Sequence, residues 1–180
     1  EAVAVDVQVK ISQIYGHQNF VIVGLPDKAV GESKERVRSA IISTGLTWPY
    51  EKITVNLAPA DLPKEGSHFD LAIALGIMIE MGVLKQELVD KFFVLGELGL
   101  DGSLSSVDGV ISAAIEANAQ NCGIICPQIN GREAAWAGDL EIIAPEHILS
   151  LINHLKNEQT LPRPQNQAIT HDRHIHNKNL

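Results

Sequence analysis

The sequence of 180 residues has few cysteines, few aromatic residues and no long apolar run. Its two cysteines, Cys122 and Cys126, would lie roughly 13 Å apart along one strand, which is too far for a disulfide bond. The pair also lacks the further ligands that a zinc site needs. The apolar stretch 71–79 is far shorter than a membrane-spanning helix. We therefore expect no disulfide, no metal site and no membrane partner, and a cytoplasmic location.

Basic residues are missing from a long part of the chain, because no lysine or arginine occurs between Lys91 and Arg132. The formal net charge is −8. Residues 27–64 carry six basic and five acidic residues, whereas residues 80–156 carry four and eleven. The second half would repel a phosphate backbone. Any direct contact with nucleic acid is therefore expected through the first half.

Phosphate-binding loops are also absent. The chain contains no Gly-x-Gly-x-x-Gly and no Gly-x4-Gly-Lys-Ser/Thr motif, and no lysine follows the glycines at 96, 99 and 102. We therefore expect no cofactor in this chain. Asp101-Gly102 between alternating residues instead predicts a β-hairpin in which both turn positions have positive φ.

The hydrophobic pattern predicts alternating strands and helices. Val3 to Ile11 alternate with period two and, after a turn at 16–19, the apolar residues 20–23 return, which predicts a hairpin. The later order is typical of a mixed sheet with helices on one side, an α+β (α/β-like) fold. The remaining predicted elements are helix 28–43, strand 51–57, helix 69–82, strand 92–95, helix 110–119, strand 123–126, helix 131–137, strand 140–143 and helix 145–154.

The segment 56–74 joins a strand to an almost entirely apolar helix through a stiff loop. Pro59 and Pro63 restrict the backbone of this loop. Ser67 and Asp70 can accept hydrogen bonds from the free amides of the helix that starts near Phe69, so both are predicted to cap it. Because α/β proteins commonly place function at such junctions, the loop is a candidate site as well as a connector.

Three stretches carry a specific resemblance. They read VGLPDKAVGESKERVRSAI (23–41), NLAPADLPKEGSHFDLAIALGI (56–77) and LGELGLDGSLSSVDGV (95–110). In this order they resemble the N-terminal domain of the ComM competence-protein family of magnesium chelatase-like AAA+ ATPases. The resemblance covers roughly residues 1–157. It implies a fold like ribosomal protein S5 domain 2 and the Lon proteolytic domain. It also implies a downstream AAA+ module that uses ATP and Mg, in a probable hexamer associated with DNA processing during natural transformation.

The Lon-like resemblance invites a test for a Ser–Lys peptidase dyad. The family's Asp-Gly-Pro-Ser segment falls on residues 65–68, which places His68 at the nucleophile position and Ser67 one residue early. The partner lysine falls on Ile111, in the stretch without basic residues. We therefore predict no catalytic residue and a non-catalytic assembly or regulatory domain. Two alternatives are an altered serine hydrolase that uses Ser67 and a direct DNA-binding module.

The candidate interface comprises charged residues of the central loop and of the first helix, facing the AAA+ module or neighbouring protomers. Lys34 and Arg38 share a helix face and have no partner on it in the sequence pattern. The domain is predicted to span residues 1–156. Residues 157–180 are polar and proline-broken, which predicts a linker or disordered tail containing His171, His174 and His176. The candidate interface residues are Lys34, Arg36, Arg38, Lys64, Glu65, His68 and Asp70.

Overall fold

The computed structural model describes residues 4–15, 19–62 and 64–165. The predicted turn at 16–19 (apart from residue 19), Pro63 and the three tail histidines lie outside these residues. The strands are β1 (Asp6–Tyr15), β2 (Phe20–Val23), β3 (Glu51–Ala58), β4 (Phe92–Val94), β5 (Glu97–Leu98), β6 (Leu104–Ser105), β7 (Gly123–Ile125) and β8 (Ile142–Ile143). The helices are α1 (Asp27–Ser43), α2 (Asp70–Glu80), α3 (Val110–Ala119), α4 (Gly131–Ala135) and α5 (Ile148–Leu155). The predicted α+β class is confirmed.

The first sheet has the order β1-β3-β2. β1 runs antiparallel to β3, and β2 runs parallel to β3 with Phe20 opposite Ile53. The predicted hairpin between β1 and β2 is therefore wrong, because β3 lies between them. The parallel β2–α1–β3 connection lets α1 bury its apolar stripe of Val37, Ala40 and Ile41 on the sheet, which a hairpin would leave uncovered.

The second sheet has the order β4-β7-β8 and all its strands are parallel. The central strand β7 is buried throughout, and its successive side chains enter different cores. Ile125 joins the larger core, which contains α2 and α5, whereas Ile124 joins a second core, which contains α3 and α4. The described residues thus form two three-stranded sheets, and helices cover both faces of the second. The sequence predicted a single sheet with helices on one side. The second sheet needs helices on both faces because its central strand is apolar on both.

Helix α2 confirms the prediction of a buried helix, since seven of its residues are buried. The predicted hairpin, which follows β4 and precedes α3 in the sequence, is also confirmed, with Leu98 of β5 opposite Leu104 of β6. Its turn differs from the prediction, because only Gly102 has positive φ, at +88°. The Asp101 carboxylate instead accepts bonds from the Ser103 amide at 3.0 Å and the Ser103 hydroxyl at 2.6 Å. This side-chain turn replaces the second positive φ.

The described part of the polar C-terminal segment lies on the body of the domain. The Leu161 amide donates to His154 Nδ1 at 2.8 Å, and the Leu161 side chain packs against the larger core. The Arg163 guanidinium donates to the carbonyls of Gly138, at 2.9 Å, and Leu140, at 3.2 Å. Residues 161–164 therefore pack on the domain next to the segment between α4 and β8. Their polar, proline-containing sequence had predicted a free linker.

Replacing Arg163 with alanine removes the bonds that hold residues 161–164. A hydrogen bond from an exposed charged group contributes about 1 kcal/mol, which corresponds to about a fivefold change in an opening equilibrium. We expect the Leu161 amide to exchange its hydrogen about fivefold faster in Arg163→Ala, measured by NMR hydrogen exchange. Lys156→Ala is the matched control for loss of a nearby exposed cation. Equal exchange in all three proteins would contradict the anchoring role.

Candidate functional site

Among the candidate residues, Asp70 and Arg36 form an ion pair inside the domain. Asp70 is 1% exposed. Its Oδ1 accepts from Ser33 Oγ at 2.8 Å and from Arg36 Nη2 at 3.2 Å. Its Oδ2 accepts from Arg36 Nε at 2.6 Å and from the Leu98 amide at 3.1 Å. Four donors therefore satisfy one carboxylate and join α1, α2 and β5.

This geometry corrects the predicted capping of α2. The helix begins at Asp70 after Phe69, and no side chain makes a capping hydrogen bond there. Asp70 points to α1 and β5 instead, because two donors of α1 and a free strand amide are within reach of a buried anion. The Ser67 hydroxyl makes no hydrogen bond within the described residues, although the Ser67 carbonyl accepts from the Asp70 amide at 3.2 Å.

Burial and pairing act in opposite directions on this ion pair. The hydrogen bond to Asp70 raises the pKa of Arg36, against the smaller effect of burial. Burial raises the pKa of Asp70, and the bonds from Arg36, Ser33 and Leu98 limit that rise. Arg36 keeps 22% of its side chain exposed and also lies 4.0 Å from Glu32. The pair therefore depends on all its donors, since desolvation of the carboxylate opposes it.

His68 lies at the end of the loop and is half-buried. Its ring packs against Phe69 with 4.1 Å between the ring centroids. Its carbonyl accepts from the Gly96 amide at 2.9 Å, and the Gly96 carbonyl accepts from Leu71 at 3.1 Å. Burial lowers the pKa of His68, and the nearby Asp70 carboxylate opposes that shift. The loop end is thus fastened by backbone bonds to the segment between β4 and β5.

The lowered pKa of His68 gives a pH dependence with a definite sign. A histidine that is harder to protonate when folded stabilises the fold above its unfolded-state value, about pH 6.5, and loses that contribution as the pH falls. We expect the melting temperature to fall less steeply between pH 7 and pH 5 in His68→Gln than in the wild type. The two proteins differ only at residue 68, so the difference between the two slopes isolates His68. Identical slopes would contradict this expectation.

Lys64 is buried, with 5% of its surface exposed. Its ammonium donates to the carbonyls of Pro59, at 2.5 Å, and Leu62, at 2.9 Å. Lys64 therefore ties the loop to itself, while its neighbour Glu65 is exposed. The amine that lies nearest to Ser67 in sequence is thus occupied by carbonyls.

The basic side chains predicted on one face of α1 mostly have partners within the domain. Arg36 pairs with Asp70, and Arg38 lies 3.8 Å from Glu35, a partner that the sequence reading missed. Lys34 Nζ lies 6.0 Å from the centre of the Phe20 ring. These residues therefore offer a phosphate backbone less positive charge than their number suggests, which weakens the DNA-binding alternative.

An open groove of about 800 Å³ runs beside the loop, and the sequence reading missed it. Lys64, Glu65 and His68 line one end of it, so the structure brings these three together, whereas Arg36 and Asp70 lie apart from it in the buried ion pair.

Among residues 4–15, 19–62 and 64–165, no three His, Cys, Asp or Glu side chains are grouped to hold a metal ion. Cys122 and Cys126 are free thiols, and burial raises the pKa of Cys126 to about 12. No helix in the described ranges has the length and apolarity to cross a membrane.

Sequence reasoning also missed Ser33 and Leu98 as partners of Asp70. Ser33 had a signal, because residues 30, 33, 37, 40 and 41 follow helical spacing and place this serine on the apolar face of α1. A hydroxyl on such a face needs a buried partner. The Leu98 amide had no signal, since a backbone donor carries no residue-specific pattern.

Comparisons with known proteins agree with the resemblance. A protein-family model described as subunit ChlI of Mg-chelatase matches residues 7–130. The uncharacterized protein YifB of Escherichia coli (strain K12) is 38% identical in an alignment 173 residues long that covers 93% of this chain and 34% of that protein. Competence protein ComM of Haemophilus influenzae is 38% identical over 162 residues, which are 90% of this chain and 31% of ComM. The chain thus spans about a third of the length of these relatives. It belongs to the ChlI-type, magnesium chelatase-like family, and the resemblance to ComM competence proteins is confirmed.

Proposed function

We propose that this chain is the non-catalytic assembly or regulatory N-terminal domain of a ComM-type AAA+ ATPase. The relatives support this proposal because they continue well beyond the length that the chain covers. The observation that carries it is that the charged side chains predicted to form a site bond to groups of the domain itself. Asp70, Arg36 and Lys64 are all engaged by internal donors or acceptors. Asp70 and Arg36 join α2 to α1, and Lys64 holds the loop to itself, which suits a part that supports rather than reacts.

ATP and Mg would bind elsewhere in the full-length protein. The described residues do not form a site for ATP and Mg, since they contain neither a grouped set of acidic ligands nor a glycine-rich loop followed by lysine. The ATPase activity, the hexamer and any contact with DNA would therefore belong to the whole assembly. The domain would contribute the exposed tip of its central loop, at Glu65, to a neighbouring module or protomer.

The test uses the full-length protein and reverses one exposed charge. Glu65→Arg changes the loop tip, and Glu87→Arg makes the same change at another exposed position as the matched control. A rim charge contributes about 1 kcal/mol to an interface, so we expect a several-fold loss of assembled protein and of ATPase activity only in Glu65→Arg. Mass photometry and a steady-state ATPase assay measure the two quantities.

Two results would overturn the proposal. One is wild-type assembly and ATPase activity in Glu65→Arg together with unchanged function after deletion of residues 1–156. The other is covalent labelling by a fluorophosphonate probe that disappears in Ser67→Ala, which would assign serine hydrolase chemistry to the domain. Melting temperatures of each variant separate these results from unfolding.

A further inference from the structure

The groove lies between two strands that each have one open edge. Within the described residues, β1 pairs only with β3 and β4 pairs only with β7. Two stretches line the groove and are called its walls here: residues 4–7, just before and at the start of β1, and residues 92–95, in β4 and just after it. Residues of α2, among them Ala72, Leu75 and Ile79, also line the groove. Natural proteins seldom leave long strand edges uncovered, and β1 has ten residues.

The backbone of β4 presents hydrogen-bonding groups to this groove. The Leu95 amide donates to Ile125 at 2.9 Å, and the Gly123 amide donates to Lys91 at 2.8 Å. In a parallel ladder, alternate residues bond to the same neighbour, so positions 91, 93 and 95 face β7. Val94 therefore directs its N–H and C=O to the opposite, open edge. In the antiparallel pair, alternate residues of β1 likewise point their backbone groups away from β3.

Comparing β1 with β3, and β4 with β7, shows that the two strands at the groove are less buried than their neighbours. In β3, Ile53, Val55 and Leu57 are fully buried, whereas the core-facing residues Val7 and Val9 of β1 remain half-exposed. In the second sheet β7 is wholly buried, whereas all three residues of β4 are only half-buried. Both shortfalls occur in the strands that border the groove.

We propose that the groove holds one more extended strand, supplied by the protein's own polypeptide upstream of Glu1. An extended backbone is the ligand that can bond to two open strand edges at once. Such a strand would join the two three-stranded sheets into one continuous mixed sheet. Its groove-facing side chains would be apolar to match α2. Its solvent-facing side chains would be polar or basic, because the rim carries the exposed carboxylates of Asp6, Glu65 and Asp90.

The upstream source is favoured by position in the chain. Ala4 lines the groove, so a strand upstream of Glu1 would be tethered close to it. Strands that are consecutive in sequence are neighbours in about two-thirds of cases. A tethered strand also has a high effective concentration, which a separate partner lacks. The relatives are about three times as long as this chain, and the proposal requires that a short part of this further length precedes Glu1.

Hydrogen exchange at Val94 tests the proposal in the full-length protein and in a version that begins at Glu1. We expect the Val94 amide to exchange on the order of 100-fold more slowly in the full-length protein. The amides of β3 and β7 serve as internal controls and should stay protected in both. Similar Val94 exchange in the two proteins would overturn the proposal, as would a reading frame with no codons for a strand before Glu1.

A second variant keeps the test decisive if the shortened protein does not fold. Ala72→Glu places a charge in the groove of the otherwise intact full-length protein, and Ser112→Glu places one on the exposed face of α3 as the matched control. We expect Ala72→Glu alone to speed exchange at Val94 while β3 stays protected. No difference between the two variants would overturn the proposal. Neither experiment reads assembly or ATPase activity, so this inference can fail without the proposed function failing.

Discussion

Replacing Asp70 with alanine is expected to lower the free energy of unfolding by about 3 kcal/mol. Removal of one partner of a buried pair typically costs about 3–5 kcal/mol, and we take the lower end because Arg36 retains access to solvent. The change also strands the Ser33 hydroxyl and the Leu98 amide, which lose their acceptor. In a domain of this size the melting temperature should fall by about 6–12 °C, measured by thermal denaturation followed by circular dichroism.

The control for this prediction is Asp61→Ala, which removes an exposed carboxylate from the loop before α2. It should stay within about 0.5 kcal/mol of the wild type, as surface substitutions usually do. Equal stability of Asp70→Ala and Asp61→Ala would show that the four bonds to Asp70 contribute nothing net. Asp70 would then not stabilise the contact between α1, α2 and β5.

Replacing Ile125 with alanine should have a similarly large effect. Ile125 is fully buried in the larger core from the central strand of the second sheet. Truncation of such a side chain leaves a cavity and costs about 2–5 kcal/mol. Ile124→Ala should cost a similar amount, because Ile124 fills the second core from the other face of the same strand. Urea titration of both variants measures these differences.

Ile129→Ala is the matched control, since Ile129 is 73% exposed. It should change the free energy of unfolding by less than about 0.5 kcal/mol. If only one of Ile124→Ala and Ile125→Ala were destabilising, the second sheet would not be buried on both faces as described.

The sequence predicted most elements because their signals are local. Period-two alternation identified β1 and β3, and helical spacing identified α1. An almost entirely apolar segment identified α2, and Asp101-Gly102 identified the β5–β6 hairpin. The pairing of strands is not local. Whether β1 meets β2 or β3 depends on where α1 can bury Val37 and Ile41, and no turn residue records that choice.

The candidate site shows the same limit. The sequence identified Asp70, Arg36 and Lys64 as conspicuous charges on a stiff loop and a helix. Their roles depend on distances between elements that are far apart in sequence, since Arg36 and Asp70 are separated by 34 residues. An exposed charge and a buried, bonded charge have the same letter in a sequence. The structure therefore reassigns Lys64, Arg36 and Asp70 to internal bonds and leaves Glu65 as the exposed one of the four candidate residues between 64 and 70.

The most direct measurement of the central claim is the ATPase activity of full-length Asp70→Asn at a temperature where the variant is shown to be folded. Asparagine keeps the shape of the side chain but removes its charge. If Asp70 only holds α1, α2 and β5 together, the folded variant should retain wild-type activity while its melting temperature falls. A folded variant with wild-type melting behaviour and lost activity would contradict the account, because Asp70 would then act in the chemistry itself.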